Sequence, residues 1–355
     1  MTKWVTGRPP SEVGWEGATS IQVNPMIEAV SPNQIERIVT RILPGAQVRD
    51  AAPLGARSLL VTLNDRQIVL RLPAGVDRWA GEALRTEALA LRALQAEIDL
   101  PLPSVVGEAA ASGDDPPALA LSYLAGTPLS EIITAIDEES RFAIGQALAR
   151  VMARVHSYLA SYYGQLRAEA LPTPAEQPAM LAADVAYLRE RVAAAAADAV
   201  AQGSLTAEQS EWLQGRLASW ITTTGRPACL VHGDLHPRRI IVRRRERDWR
   251  LVGVVGWGFA QTWRPAWDHA TLHLNFADPD YFGLRTGYGV AYDETTDRRY
   301  DQVREFALLT YRLVLLLERE RADLALAIAD QLDQVHTPPV IATPNEPIHG
   351  VQSNE

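Results

Sequence analysis

Apolar and polar positions alternate along the chain with two different periods. After an aperiodic opening that contains Pro9-Pro10, Ser31-Pro-Asn-Gln is followed by Ile35, Ile38, Val39 and Ile42 at helical spacing. That pattern predicts a capped amphipathic helix ending near Pro44-Gly45. Short apolar runs Leu59–Leu63 and Gln67–Leu72 flank Asn64-Asp65, which predicts a hairpin within a strand region over 48–72. A helix rich in Ala, Leu and Arg is expected over Gly81–Glu97, and a strand over Ala118–Leu124. Pro101-Leu-Pro and Gly113-Asp-Asp-Pro-Pro read as loops. Beyond Gly126 the period is helical: Ile144, Leu148, Val151, Met152, Val155 and Leu159 mark one core-facing helix. Two more helices are expected over 178–222 around Gly203-Ser, and at least one over 301–335. Between them Cys229–Gly258 returns to strand-like runs, and the tail after Thr337 has no period. The plan is α+β and two-lobed: an irregular extension over 1–30, a strand-rich lobe over 31–122, a mainly helical lobe over 123–338 and a disordered tail over 339–355.

Composition narrows the function classes. The 355 residues are 47% hydrophobic and 22% charged, ordinary for a globular protein and unlike a disordered chain. The longest apolar run, Leu251–Ala260, is ten residues with three glycines, short of the roughly 20 a membrane helix requires. The first ten residues have no apolar core for a secretory signal, and Cys229 is the sole cysteine. Both point to a cytoplasmic protein without disulfides. The net charge of −9 disfavours nucleic acid and suits neutral or cationic small partners. Lys3 is the only lysine among 34 basic residues, so any mechanism needing a buried lysine has none available.

The chemistry is concentrated in Leu230-Val-His-Gly-Asp-Leu-His-Pro-Arg-Arg-Ile-Ile-Val, followed by Leu251-Val-Gly-Val-Val-Gly-Trp and Pro265-Ala-Trp-Asp. An apolar run enters a polar loop that turns at Pro237, and Ile240–Val242 begins a hairpin that returns through Leu251–Val255. Asp234 sits at the mouth of that hairpin, where a carboxylate could accept a hydroxyl proton.

These residues resemble the aminoglycoside phosphotransferase and choline kinase family, which has the protein-kinase-like fold. The resemblance spans about residues 31–335. Pro53-Leu-Gly-Ala-Arg-Ser is similar to its phosphate loop, which implies nucleotide contacts from Gly55 and Ser58. Ile68–Leu72 is similar to its third strand, where Arg71 takes the place of the phosphate-pairing lysine. Arg85-Thr-Glu-Ala-Leu supplies Glu87 as its ion-pair partner. Leu121-Ser-Tyr-Leu is similar to the hinge and brings in Tyr123, and Ala147–His156 resembles the helix that follows it. Asp234 is then the candidate base, His236 a candidate substrate or phosphate contact, His232 a packing residue beneath the loop, and Asp268 an acceptor of backbone hydrogen bonds.

The departures from that pattern carry as much weight. Two residues normally hold the divalent ions that neutralise the transferred phosphates. Here Arg239 stands in place of the first and Gly256 in place of the second. Asp248, eight residues before Gly256, lies at the far end of the hairpin and cannot substitute. A guanidinium at 239 opposes a cation as well as failing to bind one. The resemblance thus implies a pseudokinase, a binding or regulatory module, with weak ATP or other nucleotide binding and no firm magnesium site. The alternative is an active ATP-dependent phosphotransferase that uses Asp234 as base on the hydroxyl of a small molecule, with Arg71 and Arg239 as cations. The partner is a small molecule in the interlobe cleft or a protein.

Three further features have simpler readings. His269 and His273, four apart on an expected helix, lack a third ligand for zinc. Arg238–Arg250 holds seven arginines against Glu246 and Asp248 and reads as a solvated turn, with an acidic partner as the sharper alternative. Trp249, Trp257, Trp263 and Trp267 read as core, although Trp263 falls in an expected loop and could line the cleft.

Overall fold

The computed structural model describes residues 30–55, 58–73, 78–95, 100–174, 185–220, 228–295, 314 and 322–336. The extension and the tail expected at the two ends lie outside them, apart from Val30. The described residues up to Leu84 and those of Val105–Tyr123 form one compact unit; Arg85–Ser104 and those from Leu124 onward form the other.

The first unit opens with helix α1, Pro32–Ile42. Ser31 caps it: its hydroxyl accepts from Gln34 N, and the Gln34 side chain accepts from Ser31 N at 3.0 Å. This reciprocal box satisfies two donors that a helix start otherwise leaves open. Strands β1 (Val48–Gly55), β2 (Ser58–Leu63), β3 (Gln67–Arg71), β4 (Val105–Ala109) and β5 (Ala118–Ser122) form an antiparallel sheet in the order β1-β2-β3-β5-β4. Because strand side chains alternate, Leu59, Val61, Ile68 and Leu70 share one face, and they are buried with Ile35, Ile38 and Val39 of α1. The hairpin turns at Asn64-Asp65 as its apolar runs imply, with Leu63 N donating to Arg66 O at 2.8 Å. Strand β4 is not predicted by the sequence pattern. Its Val-Val-Gly-Glu-Ala run is half-buried at a sheet edge and shows no apolar alternation.

Helix α2, Arg78–Leu94, leads into the second unit. There α3 (Glu138–Val155) is capped by Asp137, whose carboxylate accepts from Ser140 N at 2.8 Å. Its buried face includes Ile144, Leu148, Val151, Met152 and Val155. The expected continuation to Leu159 is corrected: the helix stops at Val155, and Leu159 lies in the short strand β7, Tyr158–Ala160. Helices α4 (Val185–Ala201), α5 (Ala207–Trp220), α6 (Ala266–Asn275), α7 (Phe282–Thr295) and α8 (Ala322–His336) complete the described helical content of eight residues or more.

Two small sheets carry the loops of interest. One runs β12-β11-β6, joining β6 (Thr127–Pro128), β11 (Ile240–Arg245) and β12 (Asp248–Val254). The other runs β8-β13-β10-β7-β9 and includes β8 (Gly164–Gln165), β9 (Thr173–Pro174), β10 (Ala228–Val231) and β13 (Gln261–Trp263). Trp263 therefore does not sit in a loop lining a cleft. It is 1% exposed in β13, edge-on to Tyr163 and Trp267 with ring centroids 5.0 and 6.2 Å away. No described helix is long and apolar enough to cross a membrane.

Candidate functional site

Strand β10 is buried along its whole length and delivers the chain into His232-Gly233-Asp234. That loop is held from behind by one carboxylate. Asp268, on the first turn of α6 and fully buried, accepts from His232 N through Oδ2 and from Gly233 N through Oδ1, each at 2.8 Å. Its Oδ2 also lies 3.0 Å from His156 Nε2, and His156 Nδ1 lies 2.7 Å from the Tyr292 hydroxyl. A buried carboxylate needs such donors to offset its lost hydration. Gly233 has φ +81°, and a Cβ there would overlap the Phe259 carbonyl. Only glycine fits this position.

His232 packs under the loop, as the resemblance implied. Its Nδ1 accepts from Asp234 N at 3.2 Å, so its Nε2 carries the proton and donates to Val255 O at 3.1 Å. Burial lowers the pKa of this imidazole.

Asp234 projects from the loop with 17% of its side chain exposed. Arg239 ends the single 3₁₀ turn Pro237–Arg239, and its Nη2 donates to Asp234 Oδ2 at 3.1 Å. The Arg239 backbone is fixed on both sides: its N donates to His236 O at 2.8 Å and its carbonyl accepts from Val255 N at 2.9 Å. The guanidinium then lies over Gly256. That residue is left-handed, φ +82° and ψ +53°, and a Cβ on it would overlap Arg239 Nη1 and stand 2.6 Å from Cδ. In this arrangement the Arg239 side chain fills the space that a side chain at 256 would need.

His236 stands beside this pair, its Nε2 4.0 Å from Asp234 Oδ2 and its Nδ1 accepting from Arg238 N at 3.1 Å. Burial is the main cause of a pKa lowered to about 4, partly offset by the Asp234 carboxylate. Glu87, on α2, is 1% exposed, and its Oε1 accepts from Trp257 N at 3.2 Å. It therefore holds the turn that begins directly after Gly256.

The remaining predicted nucleotide contacts belong to the first unit. Gly55, Ser58 and Arg71 fall in one cross-strand row, Gly55 opposite Ser58 and Ser58 opposite Arg71, on the sheet face turned away from the α1 core. Tyr123 follows directly after β5 and is half-buried. His269 and His273 do share α6, but the His269 ring is engaged with Tyr288 through Nδ1 at 3.3 Å. Among the described residues no group of three His, Cys, Asp or Glu side chains is placed to hold a metal ion.

His156 had no assigned role on sequence grounds. It closes helix α3 and is joined to Asp268 across 112 residues, a separation that leaves no local signal.

A family model described as "Phosphotransferase enzyme family" matches residues 50–306. No curated protein sequence matches the chain. Among solved structures, the GDP complex of wild-type aminoglycoside 2'-phosphotransferase-IIIa is similar at TM-score 0.56 and 16% identity, covering 86% of this chain and 98% of that one. A thermostable mutant of aminoglycoside phosphotransferase APH(4)-Ia in its apo form gives 0.55 at 16% identity, covering 85% and 99%. The streptomycin–ATP ternary complex of APH(2")-IIa gives 0.53 at 17% identity, covering 82% and 90%. At these identities the likeness establishes the fold: a strand-rich N-terminal part and a helical C-terminal part, as in aminoglycoside kinases.

Proposed function

The chain belongs to the phosphotransferase enzyme family, and from that premise we propose that it is a member without magnesium-dependent phosphoryl transfer, a pseudokinase that acts as a binding or regulatory module. The observation that carries this reading is the Arg239 guanidinium, bonded to Asp234 at 3.1 Å and seated against Gly256.

Magnesium demands near-octahedral oxygen coordination and is usually held by one or two carboxylates together with substrate phosphates. The residues here do not fit it. One oxygen of the single candidate carboxylate already accepts from a guanidinium, and position 256 offers no side-chain oxygen. A fixed positive charge a hydrogen bond away from Asp234 also raises the cost of bringing a second cation there. The same pairing opposes Asp234 as a general base, because its Oδ2 already accepts a hydrogen bond from the guanidinium.

In this reading Gly55, Ser58, Arg71 and Tyr123 are the first unit's contacts to a nucleotide; within the second unit, Arg239 holds a positive charge beside Asp234. Glu87 acts at one remove, by holding the turn at Trp257. Family neighbours that hold ATP and GDP support a nucleotide as the ligand class. The net charge of −9 supports a neutral or cationic small molecule as a second ligand. A single cysteine, Cys229, supports a cytoplasmic setting.

Calorimetric titration of ATP with and without magnesium tests the proposal. Weak binding that magnesium leaves unchanged is expected. Magnesium-dependent binding accompanied by turnover of ATP would refute it.

A further inference from the structure

The hairpin β11–β12 places five exposed arginines, Arg243, Arg244, Arg245, Arg247 and Arg250, on one projection of an acidic protein. The segment Arg238–Arg250 carries a net charge of +5, from seven arginines against Glu246 and Asp248, so the rest of the chain carries −14. Pairing register sorts these charges. Arg243 lies directly opposite Arg250, and Arg245 opposite Asp248, so one face presents three arginines and a single carboxylate.

Two features of this hairpin are unfavourable for its own folding. Like charges directly opposite one another on a sheet face destabilise the pair. The turn also holds Glu246 at φ +57°, the only positive φ of a non-glycine among the described residues, in a left-handed conformation that favours glycine or asparagine. Internal compensation is small. The Asp248–Arg250 contact is 3.7 Å long with both side chains more than half exposed. Among the described residues no ion pair engages Arg243, Arg244, Arg245 or Arg247. The hairpin is nonetheless held in place, because Trp249 N donates to Ser140 Oγ at 3.5 Å, at the start of α3. Of these two costs, the opposed charges of Arg243 and Arg250 on a fixed basic face are what an external anion would relieve.

We infer that the hairpin face bearing Arg243, Arg245 and Arg250 is a docking surface for a short acidic segment of a partner protein. Guanidinium groups match carboxylates in paired hydrogen bonds, and side chains two apart on this strand share the period of carboxylates two apart on an extended peptide. Length separates this partner from other polyanions. Screening at physiological salt acts over about 8 Å, so a short segment meets only the hairpin. A nucleic acid or an anionic membrane extends further and meets the acidic remainder of the chain. Base stacking is also unsupported, since the hairpin's one aromatic residue, Trp249, is half-buried.

The test uses the full-length protein and a short fluorescein-labelled poly-glutamate peptide, read by anisotropy. Wild type should bind it in a salt-sensitive manner, and Arg243→Ser/Arg245→Ser/Arg250→Ser should weaken binding by roughly tenfold or more. The melting temperature of that variant should be unchanged or raised, because the Arg243–Arg250 repulsion is gone. A control of equal charge change at exposed positions elsewhere, Arg66→Ser/Arg150→Ser/Arg189→Ser, should leave affinity within about twofold. Equal peptide binding by the hairpin variant and wild type, or none by wild type, would overturn the inference. Tighter binding of single-stranded oligonucleotide or phosphatidylserine vesicles than of the peptide would overturn the choice of an acidic protein.

Discussion

Replacing Gly256 by alanine probes the geometry on which the functional reading rests. Two costs are expected. An L-residue held left-handed costs about 1–2 kcal/mol, and position 256 has φ +82°. The new Cβ would also overlap Arg239 Nη1 and stand 2.7 Å from Cζ. Those atoms are the far end of a flexible side chain, so Arg239 can swing aside, but the Asp234 hydrogen bond at 3.1 Å is then lost. Both partners are largely buried, with 17% and 23% of their side chains exposed, so this loss should be about 1 kcal/mol. Gly256→Ala should therefore destabilise wild type by about 2–3 kcal/mol, and an Arg239→Ala background by only the backbone share, about 1–2 kcal/mol. Urea unfolding of the four proteins gives the coupling directly, expected near 1 kcal/mol. A coupling below about 0.3 kcal/mol would mean that Arg239 does not rest on Gly256.

Two other outcomes follow from the same site. Asp268→Asn should lower stability by about 3 kcal/mol or more, since an amide group must then face the donors of His232, Gly233 or His156 in a buried setting; a urea midpoint close to wild type would argue against its anchoring role. His236 is lowered to about 4 in the fold from an ordinary 6.5, so below pH 6.5 the unfolded chain takes up a proton that the native one does not. Its contribution is intact above pH 6.5 and is lost as the pH falls towards 4, by about 2 kcal/mol between pH 7 and pH 5. Urea unfolding at those two pH values should show a smaller drop in His236→Gln than in wild type.

Local patterns were legible where one short stretch holds the whole signal. The Ser31–Gln34 box, the face of Ile35, Ile38 and Val39, and the Asn64-Asp65 turn each lie within a few residues of their partners. The loop from His232 to His236 and the hairpin after it were legible for the same reason. Short strands were not. Leu159 extends the apolar period of α3, but the helix stops at Val155 and Leu159 pairs instead with Cys229, far away in sequence. Trp263 gains its place in the core from pairing across β10. At the site, the sequence showed a cation where a metal ligand is expected, but not its partner. That Arg239 bonds Asp234, that Gly256 leaves room for it, and that Glu87 holds Trp257 N depend on tertiary placement.

The central claim is that the Arg239 guanidinium stands where a metal-dependent phosphotransferase keeps its cation. Calorimetric titration of ATP, with and without magnesium, into wild type and Arg239→Asn/Gly256→Asp tests it most directly. Asparagine supplies a neutral oxygen and removes the obstruction, and aspartate supplies the negative charge that offsets dehydration of the ion. The account predicts ATP binding indifferent to magnesium in wild type and in Gly256→Asp alone, where Arg239 would pair with the new carboxylate, and magnesium-dependent binding in the double variant. Wild-type binding that tightens on adding magnesium, or a double variant with no response to it, would contradict the account.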